Sequence, residues 1–108
     1  MISITISKSE NRYYGFELNG HAKYRRYGKD VVCSAVSVLI INTVNSIERF
    51  TEDAIKCEAS PDGGYIHVEF SEENSLQLKL LMDSMCLGLE KIQKEYGSKY
   101  IELLYKEV

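Results

Sequence analysis

Tryptophan is absent from the chain, proline occurs once, and there are only three cysteines, Cys33, Cys57 and Cys86. No two of them are spaced as Cys-x-x-Cys, so the sequence indicates neither a zinc site nor a disulfide framework, and we expect no metal and no cofactor. Cysteines without such a framework are typical of a reducing compartment. The N-terminus lacks the basic start and the continuous apolar run of a signal peptide, which favours a cytoplasmic protein.

Long apolar runs and an excess of positive charge are missing as well. The longest run of consecutive apolar residues, 38–41, is too short to span a bilayer, so we expect no membrane contact. The 13 basic and 16 acidic side chains give a net charge of −3. Because a general nucleic-acid-binding protein needs a basic face, DNA is not an expected partner. A length of 108 residues allows one small domain with a two-layer core, spanning 1–108.

Hydrophobic periodicity divides this domain into strands and helices. Apolar and polar residues alternate in five segments, which predicts strands at 2–7, 14–18, 53–59, 65–70 and 101–105. Apolar residues recur every three or four positions in two longer segments, which predicts a helix capped by Asp30 and a helix capped by Ser71 or Asn74 and ended by Gly97. The order β-β-α-β-β-α-β predicts an α+β fold, with a mostly antiparallel or mixed five-stranded sheet and two helices packed on one face.

The second predicted helix carries more apolar surface than one buried stripe requires. Its stripe consists of Leu78, Leu81, Met82, Met85, Leu89 and Ile92. Leu76, Leu80 and Leu87 lie outside that stripe, and extra apolar surface of this kind favours a helix-mediated homodimer. Glu72 and Glu73 fit the first turn, where the helix dipole favours negative charge.

The segment 19–37 holds the residues that are suited to catalysis. Its loop, 21–29, is polar and basic, and loops of this length in compact domains are often functional. If Asp30 caps the helix, Cys33 is its third residue, where free backbone N–H groups and the helix dipole favour a thiolate. His21 stands at the other end of the loop, and a thiolate with an adjacent histidine is the arrangement of cysteine hydrolases.

Less specific interpretations of the same residues stay open. A buried cysteine is more often a small apolar core residue than a nucleophile, and a histidine beside a glycine is usually a turn residue. Ser37 can bond near the site or to the carbonyl of Cys33, and Asp30 can cap the helix, orient His21, or do both. The remaining candidates are predicted to be structural: Cys57 and Cys86 as core residues, His67 as a surface residue beside Glu69.

The same segment resembles the signature of the ribosomal-processing cysteine proteases called Prp. The resemblance rests on Gly20-His21-Ala22, on Tyr24 and Gly28, and on the run Asp30-Val31-Val32-Cys33-Ser34-Ala35-Val36-Ser37. It extends over the full length of the chain, and histidine, aspartate, cysteine and serine all stand at the family spacing.

The resemblance implies a cysteine endopeptidase that acts as a homodimer. It assigns His21 and Cys33 to a catalytic dyad, Asp30 and Ser37 to supporting roles, and Gly20, Ala22, Tyr24 and Gly28 to a loop over the substrate. The implied substrate is the precursor of the large-subunit ribosomal protein numbered twenty-seven. Its N-terminal extension would be removed after a hydrophobic, phenylalanine-containing sequence, with at most transient ribosome contact.

Two interpretations without catalysis stand beside this one. A ribosome-associated binding module would use the basic loop 21–29 on RNA or protein, with Cys33 merely packed in the core. A purely structural dimerisation domain would use neither. Reactivity of the Cys33 thiol and salt-dependent RNA binding separate the three.

Overall fold

The computed structural model describes residues 1–20, 27–61 and 63–108. Seven elements follow one another in the predicted order. They are β1 (Ile2–Lys8), β2 (Tyr13–Asn19), α1 (Tyr27–Phe50), β3 (Ile55–Ala59), β4 (Tyr65–Phe70), α2 (Leu76–Tyr96) and β5 (Ile101–Glu107). The α+β fold class is confirmed.

The five strands form one sheet in the order β3-β4-β2-β1-β5. β1 and β5 are parallel, whereas the other three neighbouring pairs are antiparallel, so the sheet is mixed as expected. β3 and β5 are its two edge strands. α2 follows β4 in the chain and leads to β5, which pairs with β1 on the far side of the sheet.

One face of the sheet forms the core together with the helices. Ile4, Leu18 and Ile66 lie side by side across three strands, because the alternation in each strand is in register with that of its neighbours. The helices complete the core with residues spaced by three or four: Val32, Val36, Ile40, Val44 and Ile47 from α1, and Leu78, Met82, Met85 and Leu89 from α2. The other face of the sheet, called the open face below, carries mostly polar side chains.

The segment Val31–Phe50 of α1 is long and apolar enough to cross a membrane by length and composition alone, a test that core helices of soluble proteins also pass. The expectation of no membrane contact rests on consecutive apolar residues, whereas this segment is apolar on average. One side of the helix packs into the core, whereas Asn42, Asn45 and Glu48 are exposed on the other side. This amphipathic pattern is that of a helix covering a sheet.

The start of α1 differs from the prediction. The helix begins at Tyr27, so Asp30 is its fourth residue and not its N-cap. Aspartate is favoured throughout the first turn as well as at the cap, and for that reason it does not mark a unique starting point. The predicted loop is correspondingly shorter, and Gly28 belongs to the helix.

The start of α2 also lies later than predicted. Ser75 is its N-cap, with its hydroxyl accepting the N–H of Leu78 at 3.0 Å. Asn74 does not cap the helix because its side-chain oxygen accepts the N–H of Tyr13 at 2.6 Å, which ties this turn to β2. Ser71 bonds to the carbonyl of Glu73 instead, and the two acidic residues Glu72 and Glu73 precede the helix. Gly97 ends α2 at a φ of 94°, as expected.

Removing the cap hydroxyl is expected to weaken α2 measurably. Ser75→Ala leaves the N–H of Leu78 without its partner, and we expect the free energy of unfolding to fall by about 1 kcal/mol. Urea denaturation measures this change. Ser84→Ala, in the exposed middle of α2, is the matched control and should change stability little. Equal effects of the two substitutions would contradict the assigned cap.

Candidate active site

Cys33 lies in the second turn of α1, where it is half-buried and packs against the hydrophobic core. The sequence predicts that Cys33 lies in the first turn, which is wrong because α1 begins earlier, at Tyr27. The dipole effect falls off within the first turn. The helix-dipole argument made from the sequence therefore does not apply at this position.

Ser37 is one helical turn beyond Cys33, so the two residues share a face of α1. The hydroxyl of Ser37 is on the exposed part of that face, while Cys33 is at the border of the core. Ile41 continues the same face and is 52% exposed. The structure therefore brings a thiol, a hydroxyl and an apolar side chain to one accessible strip of the helix, called the Cys33 face below.

Gly20 fixes the point at which the chain leaves β2 toward His21. Its N–H donates to the carbonyl of Gly64 at 2.9 Å, and its φ is +95°. A Cβ atom at this position would lie 2.3 Å from the carbonyl oxygen of Met1, so no other residue fits without a shift of the backbone. Glycine is required here by geometry, whatever its role toward a substrate.

The remaining predicted site residues are only partly covered by the structure. His21, Ala22 and Tyr24 lie outside the described residues, and their roles stay predictions. Gly28 and Asp30 belong to the first turn of α1. The substrate loop as predicted, 21–29, therefore loses its last residues to the helix.

His67, the second of two histidines, lies on the open face of the sheet. Its Nε2 is 3.1 Å from Glu69 Oε1 and its Nδ1 is 3.4 Å from Glu17 Oε1. The hydrogen bond with Glu69 raises the pKa of His67, burial opposes the rise, and Glu17 adds to it. Because the sheet separates His67 from α1, this histidine cannot act on Cys33, and His21 is the one other histidine in the sequence.

The other two cysteines are in different environments. Cys86 is buried as expected, with its Sγ 4.0 Å from the hydroxyl of Tyr13, and burial raises the pKa of its thiol. Cys57 was expected in the core but is exposed, because β3 is an edge strand. Burial and the nearby Glu48 carboxylate raise the pKa of Cys57. Both thiols are thus biased toward the neutral form, which is the less nucleophilic one.

A polar cluster between α2 and the sheet was not found from the sequence. The Tyr13 hydroxyl donates to Asp83, and the Tyr105 hydroxyl donates to Glu90 at 2.7 Å. The ammonium group of Lys8 lies 4.9 Å from the centre of the Tyr13 ring. The two hydrogen bonds join residues 70 and 15 positions apart in sequence, so no local pattern reveals them. Among the described residues, no group of three or more histidine, cysteine or acidic side chains could hold a metal ion.

Comparison with known proteins identifies what the chain is similar to. Residues 1–102 match the family described as Cysteine protease Prp. A Bacillus subtilis (strain 168) protein named Ribosomal processing cysteine protease Prp is 32% identical over 101 residues, covering 89% of this chain and 90% of the relative.

Two crystal structures of the protease Prp from Staphylococcus aureus are also similar. One holds a covalently linked product peptide, with a TM-score of 0.88 and 29% identity, and the other holds a substrate peptide, with a TM-score of 0.88 and 28% identity. Each alignment covers 98% of this chain and 100% of the crystallised one.

The open-face histidine makes stability depend on pH in a defined direction. Since the folded-state pKa of His67 lies above its unfolded value, its ion pairs stabilise the fold fully below about pH 6.5. That contribution is lost as the pH rises through the folded-state pKa. His67→Gln should therefore lower the free energy of unfolding more at about pH 5.5 than at about pH 9. Urea denaturation at the two pH values measures this, and an equal loss at both would contradict the assignment.

Proposed function

The chain belongs to the cysteine protease Prp family, and from that premise we propose that it processes a ribosomal protein precursor by means of a Cys33–His21 dyad. The observation that carries the proposal is the placement of Cys33 on an accessible strip of α1, at the border of the core. The protein is a cysteine protease, and the non-catalytic RNA-binding and dimerisation alternatives thereby lose their support.

Elimination supports Cys33 as the nucleophile. Cys86 is buried inside the core, where a peptide carbonyl cannot reach it. Cys57 is largely exposed, but partial burial in its mid-strand position and the charge of the nearby Glu48 both raise the pKa of its thiol and disfavour a thiolate. Cys33 alone of the three belongs to a segment that matches the family signature, with Ser37 one turn away.

The same reasoning supports His21 as the acid and base. A cysteine protease needs a proton-transfer group within hydrogen-bond reach of the thiol. His67 is excluded by its place on the open face, and His21 follows Gly20, whose position the Gly64 carbonyl and the Met1 carbonyl fix. Asp30 and Ser37 are assigned to supporting roles around the pair.

The proposed reaction follows from these roles. His21 takes the proton of Cys33, and the thiolate sulfur attacks the carbonyl carbon of the scissile bond. His21 then protonates the leaving amine as the C–N bond breaks, which leaves a thioester on Cys33. A water molecule, deprotonated by His21, hydrolyses the thioester and releases the carboxylate.

The proposed substrate is the precursor of the large-subunit ribosomal protein numbered twenty-seven, whose N-terminal extension is removed. The curated relative from Bacillus subtilis is named for ribosomal processing, and a staphylococcal relative has been crystallised with a substrate peptide. We place the reaction in the cytoplasm, where ribosomes assemble, with the loop that begins at Gly20 closing over the peptide. Contact with the ribosome itself is transient in this proposal.

Substitution of either dyad residue should abolish processing of the precursor. Cys33→Ala removes the nucleophile and His21→Gln removes the proton carrier, so we expect cleavage to fall at least about a hundredfold in each. Mass spectrometry of the precursor incubated with each variant measures the product. His67→Gln is the matched control and should cleave like the wild type. Cleavage by Cys33→Ala at the wild-type rate would show that the nucleophile is misassigned.

We also propose that the protein is a homodimer through the outer side of α2. Leu76, Leu80 and Leu87 are 79%, 69% and 57% exposed, and they lie along the same helix at spacings of four and seven. An apolar surface of this kind is normally covered by a partner.

A charge in the middle of this surface should separate the two copies. Leu80→Lys is expected to sediment as a monomer at micromolar concentration, whereas the wild type sediments as a dimer. Leu104→Lys is the control, because Leu104 is also exposed but lies on the open face of the sheet. A monomeric wild type at that concentration would rule out the proposed dimer.

A further inference from the structure

The edge strand β3 directs one row of backbone groups away from the sheet. At its two ends, Ser71 N–H donates to Ala54 and Ser60 N–H donates to Tyr65, so the even-numbered residues of this segment face β4. In an antiparallel pair the intervening residues point the opposite way. The N–H and C=O groups of the odd-numbered residues Ile55, Cys57 and Ala59 therefore form the outer edge of the sheet, called the β3 edge below.

The two edge strands, β5 and β3, differ in whether other described residues bond to their outward-facing backbone groups. On β5, Gln93 of α2 reaches over the edge, and its side-chain oxygen accepts the N–H of Leu103 at 2.8 Å. Among the residues that the structure describes, none covers the β3 edge in the same way, and Cys57 and Ala59 are exposed. The register of β3 on β4 is continuous, without a bulge or proline within the strand. Natural proteins usually protect such an edge, because it can pair with another strand.

The Cys33 face of α1 extends toward this edge. Cys33, Ser37, Ile41 and Glu48 fall within a quarter of the helix circumference, because each step of four residues turns only about 40° and a step of fifteen about 60°. Glu48 is in the last turn of α1, and four residues, 51–54, separate that helix from β3, so this end of the strip lies near β3. The strip of helix that begins at the nucleophile thus ends beside the β3 edge.

The turn after β3 is joined to the chain that carries His21. Gly64 closes the β3–β4 hairpin, and its carbonyl accepts the N–H of Gly20 at 2.9 Å. The β3 edge and the exit of β2 toward His21 therefore belong to the same end of the sheet. A peptide strand that pairs with β3 in the parallel orientation therefore runs toward that end of the sheet.

We infer that the β3 edge is the docking strand for the substrate, which binds as an extended peptide adding a sixth strand to the sheet. The peptide's backbone bonds to Ile55, Cys57 and Ala59. Alternate side chains of the peptide face the helix side, where Ile55 and the exposed Ile41 present apolar surface, so those positions are apolar. The intervening side chains lie beside Lys56 and Glu58 and are polar. The inference rests on the proposed function and names where its peptide substrate binds.

We assign a substrate peptide to the β3 edge because crystal structures of related proteins contain bound peptides. The staphylococcal protease has been crystallised with a substrate peptide and with a covalently linked product peptide. Backbone pairing suits a protease, since an extended chain presents its scissile bond in a fixed orientation.

Proline at the edge provides the first test. Cys57→Pro removes an outward N–H without removing a bond to β4, and proline is tolerated at such edge positions. We expect KM for the precursor peptide to rise about threefold to tenfold, with kcat and the melting temperature nearly unchanged. Glu107→Pro, on the other edge of the sheet, is the control. The N–H of Val108 faces β1, so that of Glu107 faces outward, and its loss should leave KM unchanged.

A second test uses the peptide and does not depend on the variant folding. Single N-methylation removes one backbone donor at a time, and pairing along a strand predicts that KM rises with a period of two residues. A KM insensitive to both changes, with cleavage still dependent on Cys33, would overturn the docking strand and leave the proposed function intact. Peptides that the wild type does not cleave at all would overturn both. Conversion of a dimer to a monomer by Cys57→Pro would show that the edge pairs with a second copy instead.

Discussion

The packing of α1 against one face of the sheet determines where the chemistry can take place. Val36, Ile40 and Ile47 are fully buried, and each contributes roughly 1.5–3 kcal/mol by leaving water. Burial of this stripe fixes the rotation of the helix about its axis. That rotation puts Cys33 at the border of the core and Ser37 in reach of solvent, so a residue that is half core and half surface becomes available to a peptide.

A second constraint acts on the histidine side of the site. The Gly20 N–H bonds to Gly64, and the Met1 carbonyl leaves no room for a side chain at residue 20. The base of the segment that carries His21 is therefore held by β1 and by the β3–β4 hairpin together. The two halves of the proposed dyad depend on the same sheet, although 12 positions of sequence separate them.

Most of the fold could be predicted from the sequence because the spacing of apolar residues within a short segment identifies a strand or a helix. The alternation of Ile2, Ile4 and Ile6 was sufficient for β1, and the spacing of four placed Cys33 and Ser37 on one helix face. Two of the wrong predictions, those for the α2 cap and for Cys57, have long-range causes. Asn74 is occupied by Tyr13, 61 positions earlier, which moves the cap of α2 to Ser75.

The order of the strands in the sheet explains why the predicted burial of Cys57 is wrong. It also explains why the sequence did not predict the β3 edge as a docking strand. An alternating segment predicts which side chains share a face, but it does not say whether the strand lies at the centre or at the edge of the sheet. β3 lies at the edge, so Cys57 is exposed and its backbone points outward. The start of α1 failed for another reason, since aspartate suits the cap and the first turn alike.

The central claim is that Cys33 becomes acylated during the reaction. Rapid quenching of the protein with the precursor peptide, followed by digestion and mass spectrometry, would locate the acyl group directly. The account predicts an adduct on Cys33 whose added mass equals that of the N-terminal fragment of the substrate less one water, formed slowly or not at all in His21→Gln. An adduct on Cys57 or Cys86, or cleavage that proceeds without any thioester on Cys33, would contradict it.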